Sequence, residues 1–376
     1  MNSKLQQFFN VLAQTSLGRK SIITAFYLAL LAAFLYVSLV KDYFFPAQEL
    51  YVYTFVDMLH PKSIAAFEQA HNVKVVLRYF ESNEELLAKF MINRGVGYDV
   101  IITSDYMVEF LSKDNLLHKL DHAQLPVRHE LDERLLGKYY DVENEFSLPF
   151  SWIPYGIIFH KGLFAQQPET ISLSLLFDDP KTRSQGVLKP YRICMADDSR
   201  EAISLASLYL FGDVAFWTEE RLRKIEALLI NQKRWVESYV NQDLAYPLFS
   251  GLIKVAMAPL FAAYKVLKTS QDFSFMLPEE GSVYSIENLA ISRSCKRVDL
   301  AHKFINFMLS RQEAARMSNR CGMHPSNKTA YTLLRPNIVN NKHTFPDNET
   351  FAKLHLLSND VPLKAFEEVW LAVKSS

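Results

Sequence analysis

The chain has 376 residues, 49% hydrophobic and 22% charged, a globular composition that excludes a disordered chain and leaves room for one or two domains. Its 41 basic side chains offset 41 acidic ones, so no global field draws the protein to nucleic acid or to a lipid surface, and any charged ligand must be recognised locally. The three cysteines, Cys194, Cys295 and Cys321, lack the spacing of a zinc site or a CxxC redox motif; they read as packing thiols, with a Cys295–Cys321 bridge as the alternative.

In chain order, the first predicted element is the uncharged run 21–40 (SIITAFYLALLAAFLYVSLV), preceded by residues 1–20. At 1.5 Å per residue, 20 helical residues span roughly the 30 Å core of a bilayer. Lys4, Arg19 and Lys20 precede the run while Lys41 and Asp42 nearly cancel after it, which favours a cytoplasmic N-terminus. The reading is a transmembrane anchor with residues 41–376 outside the cytoplasm; a cleaved signal peptide is the alternative, although no small-residue cleavage pattern stands out and no nearby cysteine could take a lipid.

After a short linker at 41–48, apolar runs of strand length alternate with stretches of helical period, the pattern of an α/β fold. LYVYTF (50–55) is strand-like, and Pro61 suits the first turn of a helix burying Ile64 and Phe67. VKVVL (73–77) is the next strand. Ser82 and Glu85 have capping-box spacing and open a helix expected to bury Leu86, Leu87, Phe90 and Met91. DVIIT (99–103) follows, with Asp105 as a candidate cap for the helix carrying Val108, Phe110 and Leu111. Later strands are expected at 155–160, 192–195, 253–258, 273–277 and 289–292, with helices at 201–211, 219–229 and 301–310. Open α/β sheets bind ligands beyond the carboxyl ends of their strands, which directs attention to loops after Phe55, Thr103, Ala196 and Ser285.

Seven segments in order resemble the periplasmic spermidine/putrescine-binding proteins of bacterial polyamine ABC transporters. They are LYVYTF (50–55), YFESNEELLAKF (79–90), YDVIITSDYMVEFL (98–111), SLPFSW (147–152), ADDSREA (196–202), ENLAIS (287–292) and KFINFMLS (303–310). The resemblance implies a two-lobed periplasmic-binding-protein fold of type II with hinge strands. One lobe would comprise 49–152 with about 286–325, the other 153–285 with about 326–376, and the N-terminal transmembrane helix would precede both. It further implies a monomer that presents a polyamine to ABC permease subunits in the same membrane, with no cofactor, metal or nucleic acid.

A polyamine is a flexible hydrocarbon with several ammonium groups, so its site needs carboxylates at set distances and flat walls between them. Asp198 and Glu201, three apart at the start of a helix, can project to one side of its first turn. The same D-x-x-E spacing is also a capping box that would satisfy only backbone donors. The resemblance implies that these two residues hold an amine and that Glu287, at a family aspartate position, holds the other end; its alternative is an exposed glutamate beginning a strand. Ser104 and Tyr106 match a polar and aromatic pair, and Phe55 stands at a wall tryptophan. Met58, Pro259, Ser285 and Met323 replace further wall aromatics, leaving only Phe55 and Tyr106 aromatic among the matched positions. Thioether walls are polarizable and adaptable, and an acid-lined cleft with such walls can still take an amine.

No enzyme signature accompanies these residues: GxSxG, HExxH, a Walker loop and a strand-linked GxGxxG are all missing. His302 reads as a helix-surface residue, and His60, His160 and His324 as surface or partly buried. The competing function is a membrane-tethered sensor or interaction protein on the same fold with altered or lost polyamine binding.

Overall fold

The computed structural model describes residues 20, 23–24, 26–28, 30–31, 48–181, 187–188, 190–240, 243–357 and 363–376. Most of the 21–40 run and residues 41–47 of the linker lie outside these. Within the run, Ile23, Thr24, Phe26, Tyr27, Leu28, Leu30 and Leu31 are described, and they are helical and exposed. Among the described residues no helix is long and apolar enough to cross a membrane. The chain divides into a small unit, 1–49 with 68–74, and a large one, 50–67 with 75–376. The architecture relevant to function belongs to the large unit.

The strands, in order, are β1 (Gln48–Phe55), β2 (Val73–Phe80), β3 (Val100–Ser104), β4 (Leu117–His118), β5 (Ser147–His160), β6 (Ile193–Met195), β7 (Val236–Tyr239), β8 (Val255–Pro259), β9 (Phe273–Met276), β10 (Ser282–Ser292), β11 (His324–Pro325) and β12 (Leu354–Leu356). The longer helices are α1 (Pro61–His71), α2 (Asn83–Asn93), α3 (Asp105–Lys113), α4 (Ser199–Phe211), α5 (Glu219–Gln232), α6 (Leu260–Thr269), α7 (Val298–Leu309), α8 (Arg311–Cys321) and α9 (Leu363–Ser375). The predicted strand–helix alternation is therefore present.

Local signals explain several boundaries. Ser82 Oγ accepts the Glu85 amide at 3.2 Å at the start of α2, satisfying a donor that helix geometry leaves orphaned. Leu86 and Phe90 are buried, but Met91 is 52% exposed, contrary to expectation. One residue beyond Phe90, it is rotated about 100° around the helix, off the buried stripe. Asp105 is the first residue of α3 rather than its cap, and Ser104 occupies the N-cap position.

The sheet runs β2-β1-β3-β10-β5-β8-β6-β7. β1 and β3 pair in parallel, as do β8, β6 and β7, whereas β10 and β5 run antiparallel to their neighbours on this path. The predicted strands at 155–160 and 289–292 are the ends of β5 and β10, so Ser285 lies inside a strand and not in a loop. β5 changes partners midway: its residues 147–154 face β10, and 155–160 face β8 and β9. Pro149 and Pro154 lie in the stretch that faces β10, and a proline supplies no ladder donor. The pairing slips beside Pro149, between Glu287 and Asn288. Alternate β5 side chains enter different cores: Trp152 and Ile158 join the cluster around Tyr53, Phe90 and Leu111, while Ile157 and Phe159 join that around Ile203, Ile225 and Trp235.

The three cysteines are free thiols, which removes the Cys295–Cys321 alternative. His302 is only 1% exposed, not on the surface: its Nε2 accepts the Asp121 amide at 2.9 Å, and its Nδ1 lies 2.8 Å from the Val298 carbonyl. Helical periodicity placed it on α7 but could not show that 121–124 packs over that face. His60 and His160 are partly exposed and accept nearby amides through Nδ1. His324 is fully buried, stacked on Trp152 with centroids 4.3 Å apart, and burial pushes its pKa down to about 3.

Candidate ligand-binding cleft

The carboxyl ends of β1, β3, β6 and β8 surround a cavity of about 260 Å³. Residues just beyond those ends line it, as the topology of open α/β sheets requires. Phe55, Ser104, Tyr106, Asp198, Glu201 and Glu287, the six residues singled out from the sequence, all reach this one cavity. Met58, Pro259, Ser285 and Met323 line it as well.

Asp198 is the N-cap of α4, its Oδ1 accepting the amides of Arg200 at 2.9 Å and Glu201 at 3.1 Å. The capping geometry is thus real, and it uses one carboxylate oxygen. Glu201 and the phenol of Tyr155 line the cavity together. Burial raises the pKa of both acids, and for Glu201 the neighbouring Asp198 charge raises it further.

Glu287 is 7% exposed in the middle of β10, which rules out an exposed residue beginning a strand. It sits directly opposite Ser104 of β3. Ser104 Oγ and Glu287 Oε2 are both buried without a protein hydrogen-bond partner. Orphaned polar atoms are rare inside proteins, and two on one cross-strand pair at a cavity mark a place for an outside partner. Burial, with the charge of Asp105 second, pushes the Glu287 pKa up to about 8.

The walls are less depleted of aromatic rings than the matched positions suggest. Phe55 is held against Phe80 with centroids 4.2 Å apart, and Tyr155 and Phe261 also face the cavity. Sequence reasoning missed both, along with Asp105 and Arg200. Asp105 is 1% exposed; Oδ1 accepts the Tyr106 amide at 2.7 Å and Oδ2 the Ile286 amide at 3.1 Å, so it ties α3 to β10 beside Glu287. Burial raises its pKa to about 6 against the opposing influence of Arg200. The Arg200 guanidinium lies 3.8 Å above the centre of the Tyr106 ring, and the Tyr106 hydroxyl donates to Glu84 at 3.3 Å. The signal for Arg200 was its place inside the D-x-x-E motif, which was read for its acids alone.

Among the described residues no group of His, Cys, Asp and Glu could hold a metal ion. What remains is a buried, acid-rich cleft with aromatic and thioether walls, fitted to bind a small organic cation.

Residues 59–315 match the family of bacterial extracellular solute-binding proteins, and the chain belongs to that family. It is 27% identical to the spermidine/putrescine-binding periplasmic protein of Salmonella typhimurium over 81% of this chain and 85% of that one. It is 26% identical to a putrescine/cadaverine-binding protein of Pseudomonas aeruginosa over 87% of this chain and 94% of that one. Its fold matches the structure of a putative spermidine/putrescine ABC transporter protein from Listeria monocytogenes with a TM-score of 0.76 and 28% identity, covering 87% of this chain and 99% of that one.

Proposed function

We propose that the protein is the substrate-binding component of an ABC importer and that its ligand is a polyamine held in the cleft between two lobes. The observation that carries this reading is the convergence of Asp198, Glu201 and Glu287 on one cavity, with the Glu287 carboxyl buried and one oxygen unpartnered. A buried carboxyl group without a cation is costly to ionise, and an ammonium ligand supplies the missing charge. In this reading Asp198 and Glu201 hold one amine, Glu287 and Ser104 the other, and Phe55 and Tyr106 flank the alkyl chain. The lobes are 49–152 with about 286–325, and 153–285 with about 326–376, hinged near Trp152 and Glu287. The polyamine names of the relatives support the ligand class.

A thermal-shift panel of putrescine, cadaverine, agmatine and spermidine tests the reading. A ligand at about 100 times its dissociation constant adds about 2.7 kcal/mol, which for a chain of this size is a rise of roughly 4 °C. No shift with any amine would leave the fold without its assigned ligand and favour a sensor or interaction role.

The same reading places the protein outside the cytoplasm, anchored by residues 21–40 beside ABC permease subunits. Its support is the length of that uncharged run and the cations before it. Mass spectrometry of the native protein is expected to find an N-terminus before residue 21. A mature chain beginning between about 38 and 50 would make the run a cleaved signal and the protein free.

A further inference from the structure

β3 and β10 run side by side as far as the pair Ser104 and Glu287, where β3 ends and α3 begins. Ile286 lies one step beyond that pair, and Asp105 takes its amide: Oδ2 accepts it at 3.1 Å, while Oδ1 accepts the Tyr106 amide at 2.7 Å. One carboxylate thus continues the ladder past the last residue of β3. It fixes the backbone next to Glu287 and the backbone of Tyr106 against each other, and all three side chains line the cavity.

The placement also brings two acids together out of water. Asp105 is 1% exposed and Glu287 7%. Across the strands Glu287 faces Ser104 of β3 and Ser151 of β5, both uncharged, so the charge that acts on it is that of Asp105. Around Asp105 itself are Arg200 of α4, whose charge opposes its own, Tyr140 from the segment before β5, and Tyr284 of β10. Burial raises the pKa of both phenols and of Tyr106, so all three are neutral at pH 9. Where solvent screens poorly, a neighbouring negative charge strengthens the hold of a carboxylate on any cation.

We propose that Asp105 is a positioning residue that acts on the ligand through Glu287: it fixes the strand that presents Glu287, and its charge makes that carboxylate hold a cationic amine more tightly. The proposal rests on the reading of this cavity as an amine-binding cleft. The same field tightens the hold of Glu287 on a proton, so proton and amine compete for one strengthened site. The gain from Asp105 is therefore full only where Glu287 is already ionised, and it cancels where the amine must displace a proton.

Asp105→Asn removes the charge and keeps the shape; Asp105→Ser keeps an acceptor for a neighbouring amide and serves if the asparagine variant does not fold. Carbon-13 NMR of the glutamate carboxyls, with Glu287 assigned by its loss in Glu287→Gln, reads proton affinity with no amine present. The Glu287 midpoint, about 8 in the wild type, should fall by about one pH unit in either variant, a loss of about tenfold in proton affinity. Calorimetry with putrescine should then find affinity reduced about tenfold at pH 9 but only about twofold at pH 7, as competition with a weakened proton requires. An unmoved Glu287 midpoint would overturn the proposal. So would an equal loss of putrescine affinity at both pH values, which is what a purely structural Asp105 would give. If no amine of the panel binds the wild type, the polyamine reading fails, while the titration still decides whether Asp105 governs Glu287.

Discussion

Glu287→Gln is expected to make the ligand-free protein more stable at pH 8 while weakening amine binding several hundred-fold. The stability effect follows from the raised pKa of about 8 in the folded chain, against about 4.3 for a free glutamate. Between those values the folded state holds a proton that the unfolded state has released, so stability falls as pH rises from about 4.3 to about 8. Asp105, raised to about 6, adds a slope of the same sign at the acidic end, and the two neighbouring carboxyls titrate as a coupled pair. Glutamine removes the Glu287 contribution, on the order of a few kcal/mol at pH 8. Chemical denaturation of both proteins at pH 5.5 and pH 8 measures it, and equal pH slopes would contradict the assignment. The binding effect arises because an ammonium paired with an ionised Glu287 displaces its proton. Calorimetry of wild type at pH 7, in buffers of different ionisation enthalpy, should show protons released on amine binding, and fewer in the variant.

The second large effect separates two roles of one motif. Asp198→Asn keeps an acceptor for the α4 amides, so stability should change by no more than about 0.5 kcal/mol. Glu201→Gln keeps the shape of the side chain. Both remove a charge from beside the proposed amine, at a cost of about 3–5 kcal/mol when the partner is buried, which is several hundred-fold or more in affinity. Asp198→Ala should in addition lose about 1 kcal/mol of stability through the missing cap. Undiminished binding of the amine in Asp198→Asn, Glu201→Gln and Glu287→Gln would sink the polyamine assignment, leaving Asp198 as a cap and nothing more.

Much of this was legible in the sequence wherever the determinant is local. Ser82 with Glu85 announced α2, apolar runs announced β1 and β3, and the strand–helix alternation implied ligand loops at carboxyl ends, where the cavity lies. Residues whose environment is made by distant segments were misread. Glu287 offers no local sign of being central in β10, because its burial comes from β3 and β5 on either side. His302 has a helical register but is covered by Asp121 and its neighbours. Asp105 looked like a cap because Asp often is one; its second oxygen is claimed by Ile286, 181 residues away. Arg200 was passed over for the same reason, since its ring partner is on another helix.

The position of β10 also sets a timetable. β3 ends at Ser104, yet its antiparallel neighbour is not complete until Ser292, and residues 147–154 of β5 wait for the same strand. At roughly 5 to 20 residues per second, translation supplies that partner only some 10 to 40 s after β3 has been made. Until then the first parallel strands have an open edge and cannot close their sheet, and such non-local pairing is slow in any case. A chain whose central strand comes so late keeps its first strands unclosed for most of its synthesis, and unclosed strands are ones that a translocation channel can still thread.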